Sequence, residues 1–137
     1  MHHPWRAFSA LTDWTLIIGD LPHGQHGEAC YRSRTVTLRS DLLQVERRVT
    51  ICHEVRHIMR GPTPVEPVMR AREEAVVQEE TARLLIDMHA LGEAMAWSED
   101  PHEIADELQV TVECLWTRME TLQFRERAYL HRRLENQ

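Results

Sequence analysis

One stretch limits the possible folds of this chain more than any other: a run from about Leu42 to Arg60 that reads as a helix and carries Ile51-Cys52-His53-Glu54-Val55-Arg56-His57-Ile58. At 100° per residue, Leu42, Val45, Val49, Ile51, Cys52, Val55, Ile58 and Met59 form a broad apolar arc, so much of this helix must be covered. His53 and His57 fall at the edge of that arc. Four residues apart, their imidazoles lie one turn apart on one face and can converge on a single metal ion, with Glu54 beside them. This His-Glu-x-x-His spacing is the pattern of zinc hydrolysis. Two imidazoles and a third ligand hold the ion, water keeps the fourth position, and a free carboxylate takes the proton of that water. The expected roles are therefore His53 and His57 as Zn²⁺ ligands and Glu54 as the catalytic base. Asp41 and Gln44 resemble a capping box at the start of this helix. Gly61 and the prolines Pro62, Pro64 and Pro67 end it, with Arg60 and Thr63 standing where a metzincin needs Gly and His.

The third ligand must come from another element. A second helix is predicted from Val68 to about Ala90, before Gly92, with Val77, Leu84, Leu85 and Met88 as its apolar stripe. If Val77 and Leu84 face the core, Glu74 points inward, whereas Glu73, Glu79 and Glu80 turn to solvent. Glu74 is thus the expected third ligand. Gln78, one turn later, is placed to hydrogen-bond a ligand imidazole from behind. Without the motif, the same glutamates read as a solvated face paired with Arg70, Arg72 and Arg83. Arg48 and Arg56 interrupt the arc of the first helix, and either is expected to pair with a carboxylate of the second.

Before these helices, Pro4 to Leu11 reads as a short helix and Trp14 to Ile18 as a strand, followed by a loop from Leu21 to Gly27 whose His23 and His26 could bind a metal but are expected to be solvated. Ala29-Cys30-Tyr31 and Thr35-Val36-Thr37-Leu38, joined at Arg32-Ser33-Arg34, form a hairpin, and Tyr31 is either a core or edge aromatic or an oxyanion donor. After the second helix, Glu93 to Asp100 reads as a linker. Pro101 to Leu108 and Val112 to Leu122 then form a helix-turn-helix-like pair, with Ile104, Ala105, Leu108, Val110, Leu115 and Met119 inward. A last amphipathic helix spans Phe124 to Leu134. Residues 101–137 hold five arginines against seven acids, and the second helix of the pair has Arg118 against Glu113 and Glu120. Phosphate attraction supplies most non-specific DNA affinity, so a packing role is preferred to DNA binding.

The expected fold is α+β and mainly helical: a small antiparallel hairpin or sheet on the motif helix and the ligand-bearing second helix, with the helix-turn-helix-like unit behind. The expected division is a core over 1–97 and a C-terminal unit over 98–137. The net charge of −6 excludes general adhesion to nucleic acid or anionic membrane. Three scattered cysteines, the lack of an 18-residue apolar window and the lack of a leader pattern place the expected protein in the cytoplasm.

The segment from Glu46 to His57, with Arg72-Glu73-Glu74 and Ala82-Arg83-Leu84-Leu85-Ile86, resembles the ImmA/IrrE metallopeptidases, notably their short phage and actinobacterial members. The similarity runs from Trp14 to about Leu122. It implies His53, His57 and Glu74 as zinc ligands, Glu54 as base, and cleavage of a protein substrate such as a transcriptional repressor. Gln78 stands where the family has Asn or Asp, and Asp87 replaces its usual proline. The alternative expectation is a metal-stabilised regulatory module that binds a repressor or DNA without hydrolysis.

Overall fold

The computed structural model describes residues 1–22 and 24–135. Its elements are α1 (Pro4–Ser9), β1 (Thr15–Gly19), β2 (Gly27–Cys30), β3 (Thr35–Arg39), α2 (Gln44–Arg60), α3 (Pro67–Leu85), α4 (Met88–Trp97), α5 (Pro101–Leu108), α6 (Val112–Glu120) and α7 (Phe124–Glu135). The expected α+β, mainly helical class holds. The loop residue His23 lies outside the described residues.

The hairpin β2–β3 is antiparallel, with Ala29 opposite Val36, and Arg34 at φ 53° turns the chain. β1, however, joins β3 in parallel, giving the order β1-β3-β2 and a mixed sheet rather than an antiparallel one. The alternation of side chains explains the placement: Leu16, Val36 and Leu38 share one face, which packs with Ile51 and Val55 of α2 and Phe8 and Leu11 from the amino-terminal segment. β2 is left at one edge. It approaches α2 so closely that a Cβ on Gly27 would lie 2.6 Å from Thr50 Cγ2, leaving no room for a side chain.

α2 begins two residues later than expected, and the Asp41–Gln44 box does not form. Arg39 Nε donates to Asp41 at 2.5 Å, while Glu46 Oε1 accepts from the Leu43 N–H at 2.8 Å. A guanidinium is the stronger partner for Asp41, and Glu46 is free to cover the helix start. Thr50, Ile51, Cys52, Val55 and His57 are buried along α2 as a two-sided core helix, but Met59 is 61% exposed beyond the covered stretch. Gly61, at φ 101°, ends the helix in a conformation that suits glycine.

The predicted second helix is two helices. Ile86 is extended and fully buried, Asp87 accepts from the Ala90 N–H at 2.7 Å to start α4, and Arg118 Nε donates to the Ile86 carbonyl at 2.9 Å. The side-chain cap and the guanidinium satisfy backbone groups that a continuous helix would have used. Gly92 therefore terminates nothing. It lies inside α4, where a Cβ would stand 3.2 Å from Arg133 Cγ and 3.4 Å from Tyr129 Cε1 of α7. Glu93 to Trp97 is likewise helix rather than linker.

α5 and α6 form the anticipated pair around Gln109 at φ 58°, with Ile104, Ala105, Leu108, Val110 and Leu115 buried. Their apolar side chains join Cys52, Ala82, Leu85, Ile86, Leu91 and Leu130 in one cluster, so residues after 98 pack on the helices before them. α2 separates this helical core from the sheet core. No described helix is long and apolar enough to cross a membrane.

Candidate metal centre

α2 and α3 run antiparallel, and the three predicted ligands meet where their facing surfaces open to solvent. His53 Nε2 lies 2.6 Å from Glu74 Oε1, His57 Nε2 lies 2.9 Å from Glu74 Oε2, and the two Nε2 atoms are 3.2 Å apart. A tetrahedral zinc ion with bonds of about 2.0–2.1 Å separates its ligand atoms by about 3.3 Å. The imidazole spacing already matches that edge, and the carboxylate oxygens need to move outward by less than about 1 Å. Among the described residues these three side chains are the group of histidine, cysteine and acidic residues able to hold a metal ion. Their chemistry, two imidazoles and one carboxylate, fits such an ion.

The electrostatics follow from the geometry. Hydrogen bonds from both imidazoles hold the Glu74 carboxyl far below the usual carboxylate range, and the Glu74 bond raises His57. His57 is 8% exposed, and its Nδ1 has no hydrogen-bond partner among the described residues. Gln78 does not supply one. It is exposed, lines the cleft and bonds to neither imidazole. The pairs Arg60–Glu73 and Arg56–Glu80 show α3 running back along α2, so Gln78, one turn past Glu74, moves toward the start of α2.

Glu54 differs from its neighbours. It is 6% exposed, lines the cleft, and makes no hydrogen bond or ion pair with any described residue. Burial pushes its carboxyl pKa upward against the opposing pull of His53 and His57. A carboxylate beside the triad, unclaimed by any donor and with raised basicity, has the properties of a general base. The cleft encloses about 800 Å³, with α2 as its floor, α3 and α6 on one side and the edge strand β2 on the other.

Tyr31 lines this cleft, but its hydroxyl is directed to the α2 terminus, where the His57 and Gly61 carbonyls accept, the latter at 2.8 Å. Its ring packs edge-on against Trp14 at 5.3 Å at the border of the sheet core, so the edge-aromatic expectation describes it and the oxyanion role does not fit this geometry. His26 lines the cleft beside Glu46 at 3.9 Å and does not join the triad. His89 and His102 are exposed and lie outside the cleft.

Glu73 and Glu80, expected to face solvent, both turn toward α2 in the structure. Glu73 receives Arg60 Nε at 2.5 Å and NH2 at 3.1 Å, and Glu80 receives Arg56 at 3.0 Å and Arg60 at 3.2 Å. Arg56 thus has its expected carboxylate on the next helix. Arg48 instead donates to the Gln109 carbonyl at 2.7 Å. Arg60 was the residue missed, and the available signal was its spacing from Arg56 and His57 on one helical face.

No protein-family model, no curated protein and no solved structure matches this chain.

Proposed function

We propose that this protein is a zinc-dependent endopeptidase acting on a protein substrate, with His53, His57 and Glu74 as ligands and Glu54 as base. The observation that carries the reading is the unpaired, buried Glu54 carboxylate next to three convergent ligands in an open cleft. A structural zinc site has four protein ligands and needs no free base; three ligands beside one free carboxylate suit hydrolysis. When bound, zinc supplies Lewis acidity toward a peptide carbonyl and lowers the pKa of its water.

The residues of the chain divide the remaining work. Glu54 takes a proton from water and returns it to the leaving amine, the acid and base roles of one group. Glu74 would join the two imidazoles as the anionic ligand, offsetting part of the charge of the ion. The cleft walls hold an extended segment across the centre and limit its access to bulk water. The resemblance to ImmA/IrrE peptidases supports a transcriptional repressor as the substrate and the cytoplasm as the compartment.

The test uses purified protein and candidate repressors. Glu54→Gln should keep stoichiometric zinc and lose about 10²-fold to 10⁴-fold in cleavage rate, whereas His53→Ala should lose zinc and cleavage together. Repressor inactivation that survives Glu54→Gln would replace this reading with the metal-stabilised binding module.

A further inference from the structure

On α2, His53, Arg56, His57 and Arg60 follow the spacing i, i+3, i+4, i+7, which places all four on the face turned to α3. α3 answers with three carboxylates, Glu73, Glu74 and Glu80, of which the two arginines claim two. Arg60 grips Glu73 with a fork of 2.5 and 3.1 Å and reaches Glu80 at 3.2 Å, while Arg56 holds Glu80 at 3.0 Å. Glu74 alone is left to the imidazoles.

We infer that Arg60, with Arg56, is a positioning latch that selects Glu74 as the metal ligand by sequestering Glu73 and Glu80 and fixing the register of α3 against α2. This rests on the metal reading above. Glu73 is the residue before Glu74, and Arg60 lies one turn beyond His57. The fork therefore ties the two helices within one residue of a ligand on α3 and three on α2. Partly exposed ion pairs contribute little to stability, so the weight of this network lies in geometry. It also occupies Glu73, the carboxylate that adjoins Glu74 in the chain. A carboxylate next to Glu74 and free to swing would offer the ion a second arrangement with the wrong ligand.

Zinc affinity by chelator competition, together with melting of the metal-free protein, tests the latch. Arg60→Gln should weaken zinc binding by about 10-fold to 100-fold, with Arg60→Lys intermediate, because a lysine keeps the charge but not the fork. The metal-free Tm should shift by no more than about 5 °C. The decisive comparison is in a Glu74→Gln background, where adding Arg60→Gln frees Glu73 and should strengthen zinc binding relative to Glu74→Gln alone. An arginine with a merely structural role would make that double variant worse. Folded Arg60→Gln and Arg60→Lys proteins that bind zinc within about twofold of wild type would overturn the latch, as would a double variant weaker than Glu74→Gln. Wild-type protein that holds zinc tightly yet cleaves nothing would overturn the peptidase reading and leave the latch standing.

Discussion

Two charged clusters cross the helices of this molecule, and they are finished differently. Behind the core, Arg118 is 3% exposed and gives every arm a partner: Nε to the Ile86 carbonyl at 2.9 Å, NH1 and NH2 to Glu126 at 3.2 and 2.7 Å. Arg83 completes the network on Glu126 at 3.1 and 3.2 Å, and Glu126 also accepts from the Gln123 N–H at 2.9 Å. At the cleft, by contrast, no described residue donates to Glu54, which lines it, and His57 Nδ1 has no partner among the described residues. A buried network with its valences filled fixes structure, whereas one left incomplete beside a cavity retains capacity for a ligand.

Breaking the filled cluster should have the largest effect on folding. Arg118→Met keeps similar volume but strands the Ile86 carbonyl and half of the Glu126 pairing, and should cost about 3 kcal/mol in denaturant unfolding. Arg83 remains to hold Glu126, which keeps the cost at the lower end for a broken buried pair. A loss near zero would mean that the α3–α4 break does not depend on this guanidinium.

Acid titration sharpens the same contrast. The Arg118 hydrogen bond holds the Glu126 carboxyl at about 2, below its ordinary 4.5. Since the folded value is the lower one, the stabilisation is complete above about pH 4.5 and disappears as pH falls toward 2, a loss on the order of 2–3 kcal/mol. Comparing wild type with Glu126→Gln isolates this contribution from that of Glu74. Identical acid unfolding curves would count against it.

The smallest effect has the opposite sign. Glu54 has a pKa raised by burial, so its charged form weakens the metal-free fold, and removing the charge should help. Near neutral pH, Glu54→Gln should stabilise the metal-free protein by roughly 1 kcal/mol even as it slows the proposed hydrolysis. Destabilisation in that variant would show that Glu54 has a structural partner after all.

How much of this was legible without coordinates depends on the range of the physics. The motif helix, the hairpin, the α5–α6 pair and the choice of Glu74 all followed from periodicity, because a period of 2 or 3.6 decides which side chains share a face. The division after Leu85 did not. Its apolar stripe continues through Met88, and the interruption is held by Arg118, thirty-two residues away from Ile86. Gly92 misled for a similar reason: its role is the closeness of α7, which no local pattern records. Arg118 itself, which in the sequence counts only as a charge on the second helix of the pair, is among the most buried polar residues of the described structure.

By itself the sequence determined the chemistry on offer: which helix carries two imidazoles at one turn's spacing, and which carboxylate of the next helix can face them. Only the tertiary structure decided which groups are satisfied. It gave Glu73 and Glu80 to arginines, Tyr31 to backbone carbonyls, and left Glu54 without a donor at the cleft. The reason is that a helical period sets direction within an element, whereas hydrogen-bond satisfaction depends on the distance between elements, which packing alone fixes.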